Sequence, residues 1–248
     1  MSFFIHTEAD LDTAIARLID ADPRFGKALA RAGRPPLRRR ADGFVGLASI
    51  VVSQQLSTAS AGAIWGRLSA ALDPLEPAAV IRARAPKLLR VGLSMAKVRT
   101  LKAIAKAIDK GELDLPGLAD KSADEAHAVL TAVHGIGPWT ADIYLLTCLG
   151  HSDAWPAGDL ALQEAAKLLL ELKTRPTTKE MGPLAERWRP WRAVAARLLW
   201  TYYRALKQRE GAPIQAPANV QANATPAPMQ TMAPIVKPKA AKARRANA

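Results

Sequence analysis

An all-α fold is the prediction for this chain, and three features of the sequence carry it. Ala, Leu, Arg and Lys dominate the composition, and these residues lose little on entering a helix. The alternating β-branched runs that announce strands are almost absent. Pro, Gly and short polar residues punctuate the apolar stretches where helices start and stop. With 248 residues, 49 % of them hydrophobic, the chain holds one or two domains around a sizeable core.

The elements follow in order. Thr7 caps a first helix over EADLDTAIARLID. Asp22-Pro23 starts a second, which the Gly33-Arg34-Pro35-Pro36 turn ends. GFVGLASIVVSQQLS and TASAGAIWGRLSAAL form a long apolar pair, and Pro77 and Pro86 open two short helices. After the Gly92-Leu93-Ser94 turn comes MAKVRTLKAIAKAI. Ser122 and Glu125 have the spacing of a capping box in front of ADEAHAVLTAV. Pro138 suits the first position of the next helix and Gly150 its C-terminal stop. Asp159 begins LALQEAAKLLLEL, and Pro190 begins WRAVAARLLWTYYRAL. From Gly211 the composition turns to Ala, Pro, Gln and Asn, and six of the 18 prolines lie there. Such a segment buries too little apolar surface to offset its ordering entropy, so 1–210 reads as the folded domain and 211–248 as a disordered basic tail.

The formal net charge is +13. Beyond Glu210 there are five basic residues and no acidic one, so the tail carries +5 and the body keeps +13 − 5 = +8. A body that is basic without its tail favours a polyanion such as nucleic acid, since each phosphate contact releases a counterion. A solvated lysine-rich surface and an anionic membrane surface are the other readings of the same charge. For the tail, non-specific phosphate attraction stands beside a functionless extension. Cys148 is the single cysteine, which excludes an intramolecular disulfide framework and four-cysteine zinc or iron–sulfur sites. His6, His127, His134 and His151 lack metal-ligand spacing and read as surface or capping residues. The N-terminus is acidic where a signal peptide would be basic, and no apolar run reaches spanning length. A cytoplasmic, nucleoid-associated monomer without metal or cofactor is expected.

The stretch AVHGIGPWTADIY is the most informative. A helix ending at Val133, a turn of Gly135-Ile136-Gly137 and a helix starting at Pro138 make a helix–hairpin–helix. Glycines let the backbone take positive φ and let a large ligand approach. The unpaired N–H groups of the second helix suit a phosphate, with Ile136 folded back as an apolar plug. Locally, an ordinary αα-turn and a DNA clamp fit these residues equally.

LTAVHGIGPWTADIYLLTCLG followed by AWPAGDLALQEA resembles the helix–hairpin–helix Gly/Pro-Asp superfamily of DNA glycosylases. IVVSQQLSTASAGAIW, VGLSMAKVRTLKAIA and ERWRPWRAVAARLLW are similar to its alkylpurine branch, the 3-methyladenine DNA glycosylase II type. The resemblance is colinear from about Leu11 to about Leu206. It implies two helical subdomains with the hairpin and a catalytic Asp at the cleft between them, no metal in the chemistry, and damaged double-stranded DNA as partner.

Asp159 falls where the family places its catalytic Asp, and by local sequence it is a helix N-cap; the two roles are compatible. A carboxylate there stabilises the oxocarbenium-like charge as the base departs. Trp139 stands where bifunctional members carry a nucleophilic Lys, and no Lys occurs between Lys121 and Lys167. The resemblance therefore implies a monofunctional enzyme, with Trp139 as an aromatic surface beside the extruded base or else as core packing between the hairpin helices. On a helical wheel Trp191, Ala195, Leu198 and Tyr202 form the core stripe of the last helix, and Trp200 lies opposite with Arg197 and Arg204. Trp200 belongs to the base pocket in the family, or packs on another subdomain. Trp65, Trp155, Trp188 and Trp191 read as structural. Aromatic walls suit a cationic alkylated purine through cation–π attraction.

In SQQLS, Gln54, Gln55 or Leu56 fills the gap in the DNA, against the alternative of a plain helix–helix turn capped by Ser57 and Thr58. The hairpin residues Gly135, Ile136, Gly137 and Thr140 are the implied DNA contacts. Lys97 and Arg99 are placed to meet phosphate, and Arg38, Arg39 and Arg40 read as a solvated patch. The N-terminal β-domain of some relatives is not visible, so a short form is expected, and the aromatic residue some carry near Ile143 is missing, which bears on pocket breadth. The rivals to alkylpurine excision are a glycosylase for another lesion, such as 8-oxoguanine or deaminated bases, and a non-catalytic helix–hairpin–helix DNA-binding protein.

Overall fold

Capping side chains set six of the twelve α-helix starts among residues 3–207, which the computed structural model describes. The expected tail lies outside the described residues. Helix α1 (Glu8–Ala21) is capped by Thr7 in a box with Asp10, and α2 (Arg24–Ala32) runs from Pro23 to Gly33. Helices α3 (Gly43–Ser53) and α4 (Thr58–Ala71) are the apolar pair, with Ser57 capping α4. Pro77 and Pro86 lie in the first turns of α5 (Pro77–Arg82) and α6 (Ala85–Arg90). Ser94 caps α7 (Met95–Asp109), and the Ser122–Glu125 box starts α8 (Ala123–Thr131). Helix α9 (Pro138–Tyr144) continues through one widened turn, Leu145–Leu149, and stops at Gly150 in the left-handed region. Then come α10 (Leu160–Leu169), α11 (Thr178–Ala185) and α12 (Arg192–Lys207). Among the described residues the only β-type pairing is an isolated bridge between Phe4 and His151.

Helix α12 is the packing centre for α1, α2 and α10, whereas α7 gathers α3, α5 and α6, and α9 lies against α3 and α8. One apolar cluster runs through both groups. The wheel expectation for α12 needs correction: every residue from Arg192 to Trp200 is buried, so this helix has no solvent face there. Its two buried arginines both donate to groups inside the fold, and only the Nε of Arg197 is left without an acceptor there among the described residues. Arg192 donates from Nε and Nη2 to both oxygens of Asp153 (2.8 and 2.9 Å), and Arg197 donates to the carbonyls of Leu37 and Leu146. Arg38, Arg39 and Arg40 are correspondingly not a free solvated patch. Arg40 is buried with Nη1 on Ser49, and Arg39 pairs with Asp42.

Of the tryptophans read as structural, Trp188 is fully buried and donates to Asp22 Oδ2 (2.9 Å), and Trp155 donates to the Met181 carbonyl (3.1 Å). Their rings meet edge to face at 5.4 Å. The histidines are less peripheral than expected. His151 is buried, its Nδ1 accepting from the Asp153 N–H, and His127 on α8 meets Asp142 on α9 at 2.8 Å.

The His127–Asp142 pair ties the two hairpin helices together. The hydrogen bond to Asp142, aided by its charge and that of Asp124, raises the His127 pKa above 6.5 against the opposing pull of burial. A raised histidine pKa contributes stability that is complete below the unfolded value of about 6.5 and lost as pH rises through the folded one. His127→Gln is therefore expected to lower the melting temperature by a few degrees at pH 6, consistent with ~1 kcal/mol or less for a partly exposed pair, and to converge with the parent by pH 9. Equal loss at both pH values would show that the pair's charge is not what matters.

Candidate active site

The site is built where a short loop delivers one carboxylate to the start of α10. Residues 151–158 are clamped from both ends. The Ala193 N–H donates to the Ser152 carbonyl (2.8 Å), and Arg192 grips Asp153. Arg189 and Arg192 also reach Asp124 at the start of α8, so the loop, α8 and α12 share one ionic network. Burial pushes the Asp124 pKa up, but hydrogen bonds from Arg192 and Arg189 outweigh it and hold the group below the usual carboxylate value. Further along, Gln163 donates to the Ala157 carbonyl (2.9 Å) and to Thr178 Oγ1 (3.2 Å), which folds the loop back onto α10 and α11.

Asp159 follows as the N-cap of α10. Its Oδ1 accepts from the Leu162 N–H at 2.9 Å, so the local-sequence expectation of a cap describes the geometry. Two further donors converge on it. Trp200 Nε1 donates to Oδ1 at 3.1 Å and Trp139 Nε1 to Oδ2 at 2.9 Å. A carboxylate is an acceptor-only group, and here three N–H donors from three elements meet its two oxygens. Asp159 is 5 % exposed, Trp200 is 4 % exposed and Trp139 is half-buried. Trp139 thus packs against the core and also reaches the carboxylate; Trp200 is a buried residue whose polar edge faces Asp159. Leu160, next in sequence, is 63 % exposed, the most exposed of the large apolar residues found at the surface. An apolar side chain left in the open beside a buried carboxylate forms a lip to the site.

The hairpin lies on the other side of Trp139. Ile136 is the buried plug, and Pro138 opens α9 with Gly137 as N-cap. The two glycines differ in what requires them. Gly135 has φ +87°, and a Cβ there would sit 2.1 Å from Thr100 Oγ1 of α7. Gly137 has φ −84°, and nothing lies within 4 Å of its missing Cβ. Nothing inside the chain demands glycine at 137; the open space at the N-terminus of α9 suits close approach from outside. Thr140 is buried, and its hydroxyl accepts from Gln54 Nε2 at 2.7 Å, so its side chain does not face outward as a contact residue would. The buried Thr140 hydroxyl needs a partner, and the half-buried Gln54 supplies it.

Helix α3 stops at Ser53, four residues before the end of the apolar run. Gln55 has φ +56° and is exposed, Leu56 is half-buried, and Gln54 is committed to Thr140. Lys97 does not point outward to phosphate. Its Nζ donates to the carbonyls of Val52 and Gln54, both at 2.8 Å, and burial lowers its pKa. Arg99 is exposed. Sequence reasoning missed Leu160, Gln163 and α11; for the last, the Thr177–Glu180 capping box was a readable signal.

Against known proteins, residues 48–190 match the family model described as HhH-GPD superfamily base excision DNA repair protein. A protein of Mycobacterium tuberculosis named probable bifunctional transcriptional activator/DNA repair enzyme AlkA is 33 % identical over 216 residues, 77 % of this chain and 40 % of that protein. The chain therefore spans less than half of that relative's length. The crystal structure of a DNA-3-methyladenine glycosidase from Bacillus halodurans superposes with a TM-score of 0.72 at 27 % identity, covering 84 % of this chain and 94 % of that one. The Schizosaccharomyces pombe 3-methyladenine DNA glycosylase Mag1, in complex with abasic DNA, gives 0.66 at 26 % identity, covering 77 % and 95 %.

The contrast between the two hairpin glycines is open to measurement. Gly135→Ala is expected to destabilise the fold by about 1–3 kcal/mol, through strain at positive φ and the clash with Thr100. Gly137→Ala is expected to change stability by less than about 1 kcal/mol, since only an N-cap preference is lost. Equal melting temperatures for the two variants would contradict this assignment.

Proposed function

The chain belongs to the HhH-GPD superfamily of base excision DNA repair proteins, and from that premise we propose that it is a monofunctional DNA glycosylase that releases alkylated purines of the 3-methyladenine and 7-methylguanine type. The observation that carries the reading is the Asp159 carboxylate held by Trp139, Trp200 and Leu162 beside the hairpin. In the reaction the N-glycosidic bond breaks and its electron pair leaves with the base. Positive charge develops on the anomeric carbon, and a pre-oriented carboxylate stabilises it without reorganising. Water then adds to that carbon, loses a proton and completes an abasic site. An alkylated purine is cationic and leaves readily, so one carboxylate suffices and no general acid is required.

The substrate class rests on the same residues. The half-buried Trp139 offers an aromatic face to a cationic base, and Leu160 an apolar edge. Gln55 is the residue we assign to the gap left in the duplex, because it alone of the three candidates is exposed, the other two being half-buried. Gly137 leaves room for a phosphate at the start of α9, and the net charge of +13 supports a duplex partner. We read residues 1–210 as the glycosylase domain in two helical subdomains, acting as a monomer on nucleoid DNA. Among the described residues no helix is long and apolar enough to cross a membrane.

Monofunctional chemistry follows from Trp139, which occupies the position of the amine in bifunctional members. Without that amine no Schiff base forms with the sugar.

Asp159→Asn retains a side-chain oxygen for the Leu162 N–H, so the variant is expected to fold and bind alkylated duplex DNA while losing excision by at least about 100-fold. Trp139→Phe keeps the ring but deletes one donor to Asp159, and a smaller loss, about tenfold, is expected. Release of free base from single-lesion duplexes measures both; near-normal excision by Asp159→Asn would refute the role, and binding without any base release by the parent protein would favour a non-catalytic hairpin protein. Borohydride added during turnover is expected to trap no protein–DNA adduct, and a trapped adduct would overturn the monofunctional assignment.

A further inference from the structure

Lys97 is half-buried, with its ammonium turned onto the backbone of the turn that carries the exposed Gln55. Helix α3 ends at Ser53, and the Val52 and Gln54 carbonyls converge on the Lys97 ammonium at 2.8 Å each. A cation at a helix C-terminus satisfies carbonyls that have no intrahelical partner and opposes the negative end of the dipole. Because the two acceptors flank Ser53, one ammonium can hold both only if the backbone bends between them. The bend ends in Gln55, a non-glycine residue in the left-handed region at φ +56°. Such a conformation persists where its surroundings over-determine it. The surroundings here are two side-chain ties to separate helices. Lys97 anchors the turn to the first turn of α7, itself capped by Ser94, and Gln54 Nε2 anchors it to Thr140 of α9 at 2.7 Å. Thr100, one turn along α7 from Lys97, lies against Gly135 of the hairpin.

We propose that Lys97 is a positioning residue that fixes the Gln54-Gln55-Leu56 turn so that Gln55 can occupy the space vacated by an extruded nucleotide. The inference rests on the glycosylase reading and adds to it a residue that touches neither base nor sugar. A lysine in this role makes no phosphate contact, and its worth lies in the extrusion step alone. Extrusion from a paired duplex costs a few kcal/mol, and it costs less where the lesion has no partner base.

The test compares single-turnover excision by the wild-type protein, Lys97→Met and Lys97→Arg. One substrate is a duplex with a single alkylated purine, 7-methylguanine or 3-methyladenine, opposite its normal partner. The other carries the same lesion opposite a tetrahydrofuran abasic analogue. Lys97→Met is expected to be about tenfold or more slower on the paired duplex and within about threefold of wild type on the unpaired one, since ~1.4 kcal/mol of extrusion free energy is a factor of ten. Lys97→Arg, whose guanidinium can bridge two carbonyls, is expected to recover most of the loss, and Lys97→Gln, which reaches no further than one carbonyl, is the test variant should Lys97→Met not fold, with the same loss expected on the paired duplex. The slope of log affinity against log salt is expected to be unchanged, whereas loss of a phosphate contact would reduce it by about one. Equal loss on both duplexes, no loss on either, or a reduced salt slope would overturn the proposal. Excision by the wild-type protein shows that the glycosylase reading stands in each of those cases; its absence would remove that reading and the inference with it.

Discussion

Three N–H groups closing on the two oxygens of Asp159 are the constraint on which the rest of the site depends. The donors come from α9, α10 and α12, which are distant in sequence, so the carboxylate is held only while all three elements keep their places. Net hydrogen-bond free energies are about 1 kcal/mol each and somewhat more for charged acceptors, which is modest for stability. Their value lies in direction. A carboxylate held by donors on both oxygens does not swing toward solvent.

The surrounding fold maintains that convergence. The Asp153–Arg192 pair fixes the loop that precedes Asp159 to the first turn of α12, and Trp200 extends from the same helix two turns later. Burying Arg192 is tolerable because it has a bidentate partner and a second carboxylate in Asp124. On the other flank the hairpin is set by contact rather than charge, with Ile136 buried and Gly135 pressed against Thr100. The hairpin, the Gln55 turn and the carboxylate therefore share one set of supports, in which α7 and α9 each contact more than one part.

Much of this was legible in the sequence because it is local. Thr7, Ser57, Ser94, Ser122 and Asp159 each cap the helix that follows, and a cap needs only the residue and the three after it. The hairpin was legible for the same reason. What escaped depends on partners far along the chain. The Lys97 ammonium that ties down the end of α3 comes from more than forty residues away, and nothing in VVSQQLS signals that partner. The helical wheel of α12 placed Arg197 opposite the core stripe, yet it is buried, and carbonyls of Leu37 and of the widened turn after α9 accept its hydrogen bonds. The resemblance implied Thr140 as a DNA contact, and the partner that takes up its hydroxyl, Gln54, lies 86 residues away in sequence.

Trp139 has a consequence for how this scaffold can diverge. One side chain supplies both an aromatic plane and the donor to Asp159 Oδ2. Any replacement of Trp139 by an amine-bearing side chain would remove the ring and the indole proton in one step, and would leave Asp159 with two of its three donors.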